Sequence, residues 1–211
     1  MLGVGYRSKA GFIYTAVIWA VLTGALISPV LIAATSTLVA VRSGVYVMAG
    51  IAGIVALALL LVQPLLAAQF LPGLRIARAR FWHRWVGAGI VISVALHVGG
   101  LYITSPADAL DALLLVSPTP FSIYGVIGMW SVVLTVIFVA LRSRIGLGYN
   151  VWRIIHNGLS AVVVVTSVVH ALMIEGTMGG LSKQILCFCI VAIMMVVSLY
   201  LRVLKPILRN R

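Results

Sequence analysis

The sequence predicts an all-α integral membrane protein: a six-transmembrane-helix bundle that forms a single domain over residues 1–211. Three observations support this fold class: the composition, the length of the apolar stretches and the positions of the basic residues. Of the 211 residues, 63% are hydrophobic and only 9% are charged, which excludes a soluble globular domain. A chain of this length holds about six spans of ~20 residues with short loops, so we expect no aqueous domain beside them.

Six apolar stretches account for most of the chain, and each can cross a bilayer core of roughly 30 Å as a helix. Short connections with charged residues or prolines separate them. One longer connection, residues 105–120, holds an apolar patch between prolines. It is expected to be a short interfacial segment or a plain loop on the outer side. The predicted spans are 11–34, 45–70, 82–104, 121–141, 151–174 and 183–204.

The basic residues indicate how the spans are oriented. They give a formal net charge of +12, but they cluster between apolar stretches, which is typical of cytoplasmic loops and not of a nucleic-acid-binding face. All three acidic residues fall on the opposite side, with only Arg42 and Lys183. The positive-inside rule therefore predicts that both termini are cytoplasmic. The basic residues assigned to the cytoplasmic side are Arg7, Lys9, Arg75, Arg78, Arg80, Arg84, Arg142, Arg144, Arg153, Arg202, Lys205, Arg209 and Arg211.

All four histidines lie in two apolar stretches and form two pairs with the same interval. His83 and His97 belong to the third stretch, His156 and His170 to the fifth. Fourteen residues at about 100° each end within roughly 40° of four full turns, so both members share one helix face. The interval spans about 21 Å along the axis, most of the bilayer core. An ionisable residue inside a span indicates a function, because burying it without a partner is costly.

The predicted topology matches the depths of these histidines. The third and fifth spans both run from the cytoplasm outward, so His83 and His156 lie near the cytoplasmic face, and His97 and His170 near the outer face. Two neutral imidazoles that face each other are the axial ligands of a b-type haem iron. We therefore expect two b-type haems between the third and fifth helices, with the four histidines as iron ligands.

Three further residues are expected to contact the cofactor at the cytoplasmic level. Gly87 lies one turn from His83, and a flat macrocycle between helices needs small residues so that the backbones can approach. Arg84 and Arg153 could each bind a haem propionate through a forked pair of hydrogen bonds. Basic residues are common at this boundary in any case, and Trp152 is expected to anchor its helix at the interface.

Two parts of the chain resemble the ferric reductase-like transmembrane domain. The run RFWHRWVG at 80–87 and the segment from His97 to Tyr102 resemble its first ligand helix. The stretch from Pro120 to Trp130 and the run WRIIHN at 152–157 are similar to the region around the second ligand helix of bacterial members. This superfamily includes ferric reductases, NADPH oxidases and the membrane haem subunit of the bacterial periplasmic methionine sulfoxide reductase system.

This resemblance implies a membrane cytochrome that passes electrons from a cytoplasmic donor to an outer acceptor. Ferric reductases and NADPH oxidases carry a fused flavin and nicotinamide domain, and this sequence shows none before Arg211. A stand-alone electron-transfer subunit in the bacterial inner membrane is therefore expected. Its donor would be a flavin reductase, reduced flavin or a quinol, and its acceptor a periplasmic oxidoreductase, ferric iron or oxygen. Membrane lipid is the other expected partner, and nucleic acid is not one.

Two other functions are compatible with the same histidines. The first is a transporter or proton pathway with the histidines as a relay, although the spans carry no Asp or Glu of the kind that such relays usually employ. The second is a haem-free structural membrane subunit, which leaves the equal spacing and the matched depths without an explanation. A cytochrome b with ligands on four helices is disfavoured because all four histidines here lie on two.

Overall fold

The computed structural model describes residues 9–209, and this part of the chain is helical and contains no strand. Six of its helices are long and apolar enough to cross a membrane, which confirms the six-helix prediction and indicates a multi-pass membrane protein. Arg7 and Arg211, two of the residues used to orient the spans, lie outside the described residues.

Eight α-helices follow one another along the described chain, six long and two short. The long ones are α1 (Lys9–Ala34), α2 (Gly44–Ala68), α3 (Ile76–Thr104), α5 (Pro120–Ile145), α6 (Tyr149–Met173) and α7 (Gly180–Leu199); the short ones are α4 (Pro106–Leu113) and α8 (Lys205–Arg209). The third and fifth predicted spans thus correspond to α3 and α6.

Two elements differ from the simple pattern of apolar runs. Helix α3 begins at Ile76, six residues before the predicted start at 82. Its first turn carries Arg78 and Arg80, and a polar turn that continues a helix is not detected by counting apolar residues. The sixth span is continued beyond Leu199 by a π-helical turn, Tyr200–Leu204, before α8.

The ends of the helices follow local chemistry. The Ser43 side chain accepts a hydrogen bond from the backbone N–H of Tyr46 at 3.3 Å and so caps α2. Pro120 occupies the first turn of α5, where its missing N–H is not needed. Gly146 ends that helix with φ +64°, a left-handed conformation that glycine adopts without strain. The long helices are therefore separated at defined positions.

The packing groups four helices into two hairpins. Helix α3 packs closely on α2, and α6 packs closely on α5. The side chain of Ala49 in α2 lies so near Gly100 of α3 that a Cβ at Gly100 would stand 2.7 Å from it. Gly128 of α5 has the same relation to Thr166 of α6, at 2.9 Å. Small residues therefore set the close approach within each hairpin.

Helices α1 and α7 complete the bundle around α2. Helix α7 contacts both hairpins, and its Ile190 is fully buried. Most other apolar side chains of the long helices remain exposed, as expected for surfaces that face lipid tails instead of water. Helix α2 has the largest buried share of any membrane helix described, so it forms the centre of the bundle.

Candidate functional site

The structure brings the four histidines together in two pairs. His83 of α3 faces His156 of α6 with ring centroids 6.4 Å apart, and His97 faces His170 with the same 6.4 Å separation. We call these the 83/156 pair and the 97/170 pair. The ring planes are inclined by 69° in the first and by 80° in the second. Since the pairs match in chain order, α3 and α6 run parallel, as the topology predicts.

The facing rings reach across a gap between the two hairpins. Helices α3 and α6 each pack against the other helix of their own hairpin and scarcely touch one another. All four histidines are half-buried. Among the described residues, no hydrogen bond engages Nε2 of any of these rings. Each Nε2 is therefore free to bind a ligand in the gap.

The 97/170 pair is held by hydrogen bonds to backbone carbonyls. Nδ1 of His97 lies 2.8 Å from the carbonyl oxygen of Ala49 on α2, and Nδ1 of His170 lies 2.8 Å from that of Phe121 on α5. A carbonyl oxygen only accepts, so each Nδ1 carries a proton and donates it. The lone pair of each imidazole is then on Nε2, which is the form that binds a metal.

A glycine lies against each of these two rings, four residues after the accepting carbonyl. A Cβ at Gly53 would stand 2.9 Å from Nδ1 of His97, and a Cβ at Gly125 would stand 2.7 Å from Cε1 of His170. Both distances are shorter than real Cβ contacts allow. Any side chain at either position would therefore displace the ring or the helix behind it.

The 83/156 pair is held differently. Nδ1 of His83 and of His156 are buried and have no hydrogen-bond partner among the described residues. The indole of Trp152 instead stacks on His156, with centroids 5.2 Å apart and planes inclined by only 7°. The guanidinium carbon of Arg142 lies 4.1 Å from the centre of the Trp152 ring. Trp152, expected as an interface anchor, is therefore also a packing partner of His156.

The backbone next to His83 has a polar neighbour on α2. Nε2 of Gln63 donates to the carbonyl oxygen of His83 at 3.2 Å, while Oε1 of Gln63 is buried without a partner in the described part of the chain. Gly87 makes room for this amide, since a Cβ there would stand 3.2 Å from Nε2 of Gln63. Gly87 thus faces α2 at the level of the 83/156 pair.

The two arginines predicted to contact the cofactor are exposed. Arg153 lies about one turn before His156 along α6. Its guanidinium carbon is 5.6 Å from the centre of the Tyr149 ring. Arg84 follows His83 directly and is exposed as well. Both side chains remain near the 83/156 pair, and neither has an acidic partner among the described residues.

The geometry of both pairs suits a metal ion bound from two sides. Two imidazole nitrogens on opposite sides of one ion, each at about 2.0–2.1 Å, place their ring centres roughly 6 Å apart. Both observed separations, 6.4 Å, agree with this value. The described residues contain no group of three or more His, Cys, Asp or Glu side chains that could hold an ion unaided. A haem would fit this site, with the two histidines of each pair to hold its iron.

Two apolar cavities adjoin the bundle core. One of about 310 Å³ lies between α3 and α5, and Val91, Val98 and Met129 are among its lining residues. A larger one, about 780 Å³, lies between α1, α2 and α7 and contains none of the four histidines in its lining. The larger cavity is therefore separate from the two histidine pairs.

Sequence reasoning missed the residues that hold the rings. The carbonyl of Ala49 with Gly53, and that of Phe121 with Gly125, form the same arrangement in the two hairpins. The interval from glycine to histidine is 44 residues in one hairpin and 45 in the other. This near-repeat is the signal that could have identified them.

Comparison with known proteins identifies one family. Residues 52–167 match the family model described as the ferric reductase like transmembrane component. The match begins within α2, ends within α6 and covers more than half of the chain. No curated protein and no solved structure matches the chain.

Proposed function

Because this chain belongs to the ferric reductase-like transmembrane family, we propose that it is a membrane b-type cytochrome that carries electrons across the bilayer. Residues 1–211 would form one such domain. One haem would be held by His83 and His156, and a second by His97 and His170. The observation that carries this proposal is the pair of equal 6.4 Å ring separations at two levels of the bundle.

The charge distribution supports an outward direction of electron flow. The basic residues at the start of α3 and at the end of α5, among them Arg78, Arg142 and Arg144, lie at the end of the bundle that carries the 83/156 pair. By the positive-inside rule, this end would face the cytoplasm, together with both termini. Electrons would then enter at the 83/156 pair and leave at the 97/170 pair, in a bacterial inner membrane.

The protein's own part is to hold, orient and shield the cofactors. A bound haem supplies one-electron chemistry at its iron, and the protein tunes the potential through ligands, hydrogen bonds and burial. The carbonyls of Ala49 and Phe121 fix two of the imidazoles. Arg84 and Arg153 would bind propionates at the cytoplasmic level, and Gly87 would let α3 approach the Gln63 amide of α2 beside the macrocycle.

The partners follow from the two ends of this path. The donor would be a cytoplasmic flavoprotein, reduced flavin or a quinol. The acceptor would be a periplasmic oxidoreductase, ferric iron or oxygen. The exposed apolar helix surfaces contact membrane lipid.

Haem stoichiometry of the detergent-purified full chain tests the proposal. We expect about two b-type haems per chain, from the pyridine haemochrome spectrum and a reduced-minus-oxidised difference spectrum. His156→Ala and His170→Ala should each leave one haem, because each removes a ligand of only one pair. His-to-Ala variants that retain both haems would contradict the assignment of ligands. A colourless protein from a haem-replete host would instead favour a proton relay or a structural subunit.

A further inference from the structure

The two hairpins repeat one arrangement around the 97/170 pair. In each hairpin a carbonyl of the first helix accepts the Nδ1 proton of a histidine on the second helix, and a glycine one turn later lies against the ring. The offset from Ala49 to Phe121 and from Gly53 to Gly125 is 72 residues, and the offset from His97 to His170 is 73. The arrangement is therefore built twice, with the same parts.

The 83/156 pair lacks this arrangement on both sides. His83 and His156 keep the same offset of 73 residues, yet Nδ1 of each has no hydrogen-bond partner in the described part of the chain. Their surroundings contain a cation instead, since Arg142 lies over the Trp152 ring that stacks on His156. The two levels thus hold identical ligand residues in opposite electrostatic settings.

These two settings shift the reduction potentials of the two sites in opposite directions. An imidazole whose Nδ1–H donates to a carbonyl is a more basic ligand and a stronger electron donor, which stabilises the oxidised iron and lowers the reduction potential. A cation near the other site favours the form with one more electron and raises its potential. Both effects increase the difference between the reduction potentials of the two sites, and the 97/170 site has the lower one.

We propose that Gly53 and Gly125 are positioning residues that seat the imidazoles of His97 and His170 on the carbonyls of Ala49 and Phe121, and that this makes the 97/170 site the lower-potential haem site of the two. The proposal rests on the proposed function. Its physical basis is the missing Cβ, because only glycine leaves room for a ring 2.7–2.9 Å from where a Cβ would stand.

Redox titration of single-site chains tests the order of the potentials. His83→Ala leaves only the 97/170 site, and His97→Ala leaves only the 83/156 site. We expect the chain with the 97/170 site to have the lower midpoint potential and the two midpoints to match the two waves of the unmodified chain. Equal midpoints, or the reverse order, would overturn the proposal while leaving the two-haem function intact. An unmodified chain without haem would overturn both.

The glycines are tested in the chain that keeps all four histidines. Gly53→Ala and Gly125→Ala should shift the low-potential wave upward or remove it, and leave the high-potential wave in place. Gly50→Ala is the matched control, because it lies on the same helix as Gly53 and a Cβ there meets nothing within 4 Å. The same change in the Gly50→Ala chain, or a shift of the high-potential wave alone, would show that the glycines do not position these rings.

Discussion

The imidazole of His156 is held by an aromatic contact, since its Nδ1 has no hydrogen-bond partner among the described residues. Trp152 lies one turn earlier on α6, where side chains four residues apart are neighbours. Its ring stacks on that of His156 with centroids 5.2 Å apart, and the guanidinium of Arg142 lies over the Trp152 ring. Trp152, which the sequence predicts to be an interface anchor, therefore also fixes the orientation of the His156 imidazole.

Replacing Trp152 by Leu should destabilise the 83/156 level. The loss of an aromatic pair and of a cation–π contact costs about 1–2 kcal/mol, so the free energy of unfolding in detergent should fall by that amount. The haem proposed at this level should also be lost more readily on dilution. Trp85→Leu is the control, because Trp85 is 60% exposed and makes no contact with a histidine. Equal losses in both variants would contradict the role of the stack.

The interval of fourteen residues predicts that the two histidines of each helix lie on one face, because the period of a helix is fixed. The pairing of α3 with α6 was predicted from the equal histidine intervals, and the charge pattern of the loops predicted that the two helices run in the same direction. The contacts of Gly53 and Gly125 could not be predicted, because they depend on which helices pack as neighbours and at what rotation. For the same reason, the sequence could not predict that Nδ1 of His83 and of His156 have no hydrogen-bond partner among the described residues.

At the scale of helices, only one of two adjacent glycines of α3 lies in its contact with α2. A Cβ at Gly100 would lie 2.7 Å from Cβ of Ala49, whereas a Cβ at Gly99 would meet nothing within 4 Å. Ala49 also supplies the carbonyl that accepts from His97. The spacing of this hairpin and the orientation of one candidate ligand are therefore coupled.

Gly100→Ala should accordingly separate α2 from α3. Overpacking of a close contact costs about 1–3 kcal/mol, so the thermal unfolding temperature in detergent should fall, and the haem assigned to the 97/170 pair should be retained less well. Gly99→Ala, next to it on the same helix, should leave both quantities unchanged. A chain that tolerates both substitutions equally would show that the helices shift apart without cost.

The six long helices were predictable because a bilayer demands long apolar runs, whereas their ends were not. Helix α3 starts at Ile76 because its arginine-bearing first turn remains helical outside the apolar stretch. The short helix α4, Pro106–Leu113, forms part of the connection expected as an interfacial segment or a loop. Boundaries in polar segments depend on local capping, which hydropathy does not report.

At the scale of the molecule, the two ends of the bundle differ in charge. Arginines lie at the start of α3, at the end of α5 and at the start of α6, whereas all three acids of the chain, Asp108, Asp111 and Glu175, lie in α4 and just after α6, at the opposite end. This asymmetry is the basis for the orientation proposed above.

Labelling of single introduced cysteines in intact cells tests that orientation. Ala107→Cys on α4 should react with a membrane-impermeant maleimide, because α4 would face outward. Ser143→Cys near the end of α5 should react only after the cells are opened. Both positions are exposed, and the unmodified chain provides the background from Cys187 and Cys189. The reverse pattern would invert the direction proposed for electron flow.

Because the two histidine levels are separated across the bilayer, the membrane voltage would act on an electron that moves along the proposed path between them. Fourteen residues of helix correspond to about 21 Å, or roughly 0.7 of a bilayer core. Carrying one elementary charge through the whole membrane voltage is worth about 2.3 kcal/mol per 100 mV, so an electron that moves outward between the levels gains roughly 1.6 kcal/mol per 100 mV when the cytoplasm is negative. A membrane voltage of this sign would thus help to drive electrons toward the 97/170 site, for which we proposed the lower potential, and turnover in sealed vesicles should increase with the imposed voltage.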